Sequence, residues 1–365
     1  WPNYGLQPRP DWSAAGVAAT DNGAMSASPA HVPPHFLSRF SPRAIGLAAA
    51  VITVLIWTAF ILIARASADP ARGHLLTPFD IAYCRIVGAG LILLPWGAWL
   101  VRQDRARGVH DASWLGIAPL PMRITVPVGF FGGLLYALLA YSGFAYAPAL
   151  HASVLLPGSL PLWTALLALW LLRERITPLR ALGLALIVLG DLLVGGPSLL
   201  SAFDGGRVWV GDLLFMAGAM CWACYSVLAR HHTLDAVRAT ISITTFAFVT
   251  YLPVYTALAL AGAVPSQLFH APWSDLLFQA AFQGWGSVVV SGITFTQMVR
   301  HFGPVRSTMI TALVPGLSAL GAVLLLGEPL HWNLAVGLLL VTGGILFGVR
   351  AAVPSATKKE AVCTA

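Results

Sequence analysis

From residue 44 onward the chain alternates long apolar blocks with short polar breaks. Ten blocks are read, at 44–64, 78–101, 124–146, 149–172, 178–196, 209–229, 240–262, 276–299, 305–326 and 332–350. About 20 apolar residues, rising about 1.5 Å each along a helix, cross the hydrocarbon core of a bilayer. Water is absent there, so the backbone must satisfy its own hydrogen bonds and each block predicts a helix. A β-barrel would show alternating segments of about 10 residues, a pattern this chain lacks. Residues 1–43 are rich in Pro, Ala and Ser without an apolar period, which predicts a disordered tail. Residues 197–208 read as a linker and 351–365 as a C-terminal tail. Met25 opens a plausible short basic N-terminus, so residues 1–24 are expected to be upstream read-through or a cloning remnant. Peptides from before Met25 in the native protein would refute that.

Composition strengthens the membrane reading. The chain is 58% hydrophobic and 10% charged, against roughly 25% charged residues in soluble domains. The first block resembles a signal peptide because Ala66-Ser67-Ala68 looks like a cleavage site, but its apolar run is longer than a signal core. The net charge is +7, and the basic residues sit in short breaks between blocks. They read as topology signals and not as a nucleic-acid face. Seventeen of the 21 Lys and Arg fall in the tails and alternate breaks, three (Arg65, Arg72, Arg207) on the other side, and Arg85 within a block. The positive-inside rule then puts both termini in the cytoplasm. Cys221 and Cys224 form a C-x-x-C inside an apolar block, without a second pair or a nearby His. Packing is the better reading than redox or metal chemistry, and no cofactor or metal is expected.

An internal repeat organises the blocks. Pro161–Leu193 aligns with Pro315–Phe347 at a constant offset of 154, with 13 of 33 positions identical, including Pro161/Pro315, Glu174/Glu328, Gly183/Gly337 and Gly190/Gly344. A fainter echo links Trp57…Ala64-Arg65 to Trp222…Ala229-Arg230. The expected fold is an all-α integral membrane protein, its ten transmembrane helices forming two five-helix repeats at 44–196 and 209–350. Five is odd, so the second repeat enters from the opposite side. Inverted repeats enclosing a midplane site are characteristic of secondary transporters.

On these residues the sequence resembles the drug/metabolite transporter superfamily, in particular its EamA-type ten-helix members. The resemblance rests on Tyr83-Cys84-Arg85 early in the second block. It also rests on the duplicated pattern of a mid-helix Pro, a Glu 13 residues later and a Gly-punctuated helix. It covers roughly residues 44–350. It implies transport of a small metabolite such as an amino acid or amphipathic compound, often by export, and a bacterial inner membrane. The partners expected are a small-molecule substrate and the lipid bilayer, without nucleic acid; the oligomeric state is left open.

Several residues are candidates for the work, each with two readings. Glu174 and Glu328 serve as proton-coupling or gating groups, or cap the helix that follows, where the dipole favours negative charge. Thr177-Pro178 supports capping. Arg85 and Asp191 lie within blocks, where a charge costs about 2.5–3.5 kcal/mol on insertion scales; they pair or line a common outward cavity, or each reaches the interface. Gln279, Gln283, Ser287 and Ser291 are spaced four apart and Thr294 continues the line, giving a polar stripe that is either a solute pathway or a set of interhelical hydrogen bonds. Trp57 and Trp222, with Tyr136, Tyr141, Trp163, Tyr225 and Trp285, form an aromatic cavity wall or anchor the interface. His151 titrates near neutral pH or is an interface residue. Pro157, Pro161 and Pro315 act as hinges or as static kinks.

A membrane-embedded enzyme and a passive channel are the competing classes. The first lacks H-E-x-x-H, G-x-S-x-G and paired intramembrane aspartates; the second lacks a charge ring or filter-like loop. No nucleotide-binding loop is visible, so direct ATP drive is not expected.

Overall fold

The computed structural model describes residues 42–68, 76–108, 113–171, 176–201, 205–295, 297–298, 310–311 and 313–350. These form α1 (Pro42–Ala68), α2 (Pro78–Ala106), α3 (Met122–Phe144), α4 (Ala149–Leu171), α5 (Pro178–Leu200), α6 (Val208–His231), α7 (Ala236–Leu260), α8 (Trp273–Phe295), α9 (Leu313–Leu326) and α10 (Trp332–Arg350). Among the described residues eight of them, α1 to α8, are long and apolar enough to cross a membrane, and the described stretches of α9 and α10 are shorter and apolar. Among the described residues there is no strand, only an isolated bridge between Trp114 and Ala118. Much of the outer surface is aliphatic or aromatic: Trp170 is 79% exposed, Leu325 71% and Leu339 72%. Such a belt suits lipid and not water.

Local chemistry sets the helix ends. Thr77 caps α2 by accepting from the Asp80 amide while Asp80 accepts from the Thr77 amide at 2.9 Å, a capping box with Pro78 at the first helical position. Asp235 caps α7 through the Arg238 amide at 3.0 Å. Thr177 accepts from the Arg180 amide at 3.4 Å, as the Thr177-Pro178 pair predicts. Gly262 and Gly327 follow α7 and α9 with φ of +66° and +71°, the left-handed geometry that closes a helix C-terminus.

Two helices depart from α geometry in corresponding places. Phe130–Leu135 in α3 and Ala280–Val290 in α8 are π-helical. Helix α4 breaks at Ser159, between Ala149–Gly158 and Leu160–Leu171, with Pro157 and Pro161 flanking the break. Pro315 is buried in α9, with helical residues before it at Ile310 and Thr311, and its carbonyl accepts from Ser318 at 3.2 Å.

Small residues let the helices approach. The most extensive packing is between α5 and α10, which run antiparallel. A Cβ on Gly190 would lie 2.7 Å from the Gly337 carbonyl oxygen, and one on Gly344 would lie 2.5 Å from that of Gly183. Because Gly183 aligns with Gly337 and Gly190 with Gly344, exchanging the aligned partners turns one contact into the other. Several further packing pairs recur in the same way: α2–α8 with α3–α7, α4–α6 with α1–α9, and α3–α6 with α1–α8, while α2–α7 and α4–α9 are their own counterparts; α1–α3, α1–α4, α2–α3, α4–α10 and α5–α6 have no counterpart of similar extent among the described residues.

Candidate functional site

The elements α2, α3 and α8 converge on one guanidinium. Arg85 of α2 donates to Ser287 Oγ at 3.1 Å and to Tyr141 Oη at 3.4 Å. The Tyr141 hydroxyl in turn donates to Gln283 Oε1 at 2.9 Å. The Arg85 guanidinium sits 5.9 Å from the centre of the Phe60 ring, a cation–π contact with α1. Among the described residues Arg85 forms no ion pair; its hydrogen-bond acceptors are neutral. Tyr141 and Gln283 are fully buried, and the Gln283 amide nitrogen has no partner among the described residues.

Both π-helical stretches border this centre. Gln283 and Ser287 lie within the one in α8, and Tyr136 follows the one in α3. The Tyr136 ring is 4.9 Å from that of Trp222, which is 5.2 Å from that of Tyr225. Tyr225 lies flat against Gly132, where a Cβ would meet the ring at 2.6 Å. The three rings thus make a continuous aromatic wall from α3 to α6, and Tyr136 lies five residues before Tyr141 on α3.

The polar stripe of α8 faces protein. Gln279 donates to Ser67 of α1 at 2.7 Å, Gln283 meets α3, Ser287 meets α2, and Ser291 returns its hydroxyl to the Ser287 carbonyl at 2.7 Å. Thr294 meets Thr53 at 2.8 Å. The stripe therefore makes interhelical hydrogen bonds, whose central members belong to the Arg85 network.

Several expectations are corrected. Trp57 does not join the Trp222 wall; it stacks on Phe295 at 5.4 Å. Trp285 also stays outside, 45% exposed with its indole nitrogen donating to the Gly88 carbonyl at 2.9 Å. Arg85 and Asp191 do not pair: Asp191 lies on α5 in a small cavity between α4 and α6, and neither of its oxygens has a hydrogen-bond partner among the described residues. Glu328 caps a helix, but not the one that follows it. Its carboxylate accepts from the Ala149 and Leu150 amides, both at 2.9 Å, at the start of α4, where Arg65 also approaches at 3.4 Å. Glu174 lies outside the described residues.

Sequence reasoning passed over three groups. Asp212 Oδ1 meets His151 Nδ1 at 2.8 Å, and as a carboxylate it accepts from the imidazole N–H. Arg65 donates to the Phe144 carbonyl at 2.9 Å. Asp80 is fully buried among five donor contacts; the T-x-x-D of its capping box was the available signal.

Eight apolar helices, a lipid-suited belt and a buried polar centre define a multi-pass helical membrane protein. The model of the EamA-like transporter family matches residues 44–196 and 209–350, and the chain belongs to that family. It is similar to the uncharacterised transporter YyaM of Bacillus subtilis, 26% identical over 60% of this chain and 69% of that protein. It is also similar to the pseudopaline exporter CntI of Pseudomonas aeruginosa, 28% identical over 62% of this chain and 73% of that one. A WAT1-related protein of Arabidopsis thaliana is 23% identical over 79% of this chain and 80% of its own. A solved crystal structure superposes with a TM-score of 0.50 at 22% identity, covering 85% of this chain and 98% of that one, which is a likeness of fold. The chain is thus a transporter of the membrane, and a small molecule is its substrate.

Proposed function

We propose that this protein is a secondary transporter that exports a small amphipathic metabolite bearing an anionic group, by alternating access. The observation that carries the reading is the Arg85 centre: a cation inside the bundle whose hydrogen-bond acceptors among the described residues are neutral, joined through Tyr141 to the helix that carries the Tyr136 end of the Tyr136–Trp222–Tyr225 wall. An intramembrane charge is costly and is retained where it serves a function. A carboxylate or similar anion would neutralise Arg85 while the aromatic rings take the apolar part of the solute. Gln283 and Ser287 supply further polar contacts, and Gln279 and Ser291 extend them along α8.

Alternating access is supported by the exchange-symmetric packing and by the antiparallel α5–α10 contact, which fit two five-helix units of opposite orientation, all ten helices crossing. The break at Ser159 between Pro157 and Pro161, and Pro315 in the matching helix, are hinge positions on this reading. On this reading both termini lie in the cytoplasm and the end bearing Arg65, His151 and Glu328 lies outside, which the loop charge supports, and the membrane is a bacterial inner membrane, as the family resemblance implies. Similarity to an exporter supports the outward direction.

The test is a resistance screen of overexpressing cells against amino acids and amphipathic acids, followed by uptake of the selected compound into proteoliposomes. Saturable flux that falls at least tenfold in Arg85→Gln supports the reading. Unsaturable flux, or full activity in R85Q, rejects it.

A further inference from the structure

A second site lies away from Arg85. Helices α4, α5 and α6 border a partly open cavity of about 110 Å³ walled by Leu155, Leu162, Leu213 and Met216 and holding two carboxyl groups, Asp191 and Asp212. Their environments differ. Asp212 is bonded to His151 Nδ1 at 2.8 Å, and their side chains are 4% and 13% exposed. Asp191 is 6% exposed, and both of its oxygens lack a partner among the described residues.

A carboxylate without donors in an apolar setting bears the full desolvation cost of its charge, whereas the neutral acid bears a fraction of it. No Lys or Arg lines the cavity. The facing titratable groups are His151 from α4 and Asp212 from α6. From α10, packed on the other side of α5, Asn333 donates to the Leu193 carbonyl at 3.1 Å, and His331 stands at the head of that helix. Among the described residues no group of three or more His, Cys, Asp or Glu suits a metal ion. The proton is the cation that this carboxyl group can hold without further ligands.

The route to it is short. Asp191 and Gly195 share a face of α5, one turn apart. A Cβ on Gly195 would lie 3.8 Å from Asp212 Oδ2. Asp212 therefore sits one turn from Asp191 toward the end of the bundle where His151 is partly exposed. We propose that Asp191 is the proton-binding site that couples transport, loaded through the His151–Asp212 pair from the outer side. A proton enters as hydronium's proton on the imidazole, passes by way of Asp212 and neutralises Asp191. Its release to the cytoplasm restores the carboxylate, and one proton moves inward for each cycle of export.

The coupling role rests on the transporter reading above; the protonation of Asp191 does not. Infrared difference spectra of the full chain in lipid, recorded through an acid-to-alkaline titration, test the protonation directly. Wild type should show the C=O stretch of a buried protonated carboxyl, which Asp191→Asn removes and Asp191→Glu shifts in frequency. His151→Gln should slow its appearance after a pH jump. Absence of the band in wild type, its persistence unchanged in D191N, or its removal by sodium chloride at constant pH would overturn the proposal. For the compound selected in the resistance screen, an inward proton gradient should accelerate efflux in wild type but not in D191N. Gradient-independent efflux by wild type would overturn the coupling while leaving transport intact. Should no screened compound move, the transport reading fails and the infrared titration alone decides the proton site.

Discussion

Glu328 accepts a hydrogen bond from the amide of Ala149, 179 residues away in the chain, and so closes the start of α4 from the loop that leads into α10. The Leu150 amide adds a second bond at 2.9 Å, and the Arg65 Nε stands 3.4 Å from Oε1. The two relationships differ in weight. Losing a helix cap costs about 0.5–2 kcal/mol, and a partly exposed ion pair contributes about 0.2–1 kcal/mol. Glu328→Ala should therefore lower thermal stability by about 1–2 kcal/mol, and Arg65→Gln by less. A double-mutant cycle read by thermal unfolding in detergent checks this; a coupling energy as large as the E328A effect would show that the ion pair dominates.

The α5–α10 seam makes a sharper prediction because backbone meets backbone. A Cβ on Gly190 would lie 2.7 Å from the Gly337 carbonyl oxygen, and neither main chain can turn aside as a side chain does. Gly190→Val should cost about 1–3 kcal/mol by overpacking. Gly343, with open space where its Cβ would be, is the control; Gly343→Ala should leave stability equal or slightly higher, since Ala favours a helix by up to about 1 kcal/mol. Equal effects at the two positions in a thermal-shift assay would remove the close approach as the cause.

Helix character and the α5–α10 glycines were legible because both leave one-dimensional traces: long apolar runs, and Gly183, Gly190, Gly337 and Gly344 in register. Arg85, Tyr141, Gln283 and Ser287 were each visible as polar or aromatic exceptions inside apolar blocks, and the structure gathers them. Partner choice was not legible. Nothing local says that Glu328 faces Ala149 rather than its own helix, that Asp191 stands apart from Arg85, or that Trp57 meets Phe295 while Trp222 meets Tyr136. Those outcomes depend on contacts between helices far apart in sequence. The π-helical turns in α3 and α8 were also unannounced, since a π turn alters side-chain register without changing the apolar pattern.

Asp80 offers a test of buried charge. Oδ1 accepts from Tyr255 at 2.8 Å and Ser266 at 2.7 Å, while Oδ2 accepts from the Thr77 amide and hydroxyl, both at 2.9 Å, and from the Gln267 amide at 3.1 Å. Asp80→Asn turns an amide NH2 toward donors. With hydrogen bonds to charged groups contributing about 1.5–3 kcal/mol each, loss of two should cost about 3 kcal/mol or more. Asp80→Glu should not fully rescue, because the longer side chain can still close the capping box but carries the carboxylate away from Tyr255, Ser266 and Gln267. Wild-type stability in D80N, measured by chemical denaturation in detergent, would mean that these five contacts do not need a second acceptor oxygen.

The hydroxyl of Tyr141 joins Arg85 to Gln283, so Tyr141→Phe separates binding from folding. The ring stays, with its packing against Phe60 at 5.9 Å between centroids. What is lost is one donor to Gln283 Oε1 and one acceptor for Arg85. The buried Gln283 oxygen then lacks that partner, at about 1–3 kcal/mol, while Arg85 keeps Ser287. With its guanidinium less restrained, Arg85 should hold an anionic solute in a less defined geometry. Y141F should therefore retain expression and monodispersity but show at least a fivefold higher KM for the transported compound, with Arg85→Lys worse, because a point charge replaces a planar fork. Unchanged KM in both variants, measured in the same proteoliposomes, would move the solute away from this centre altogether.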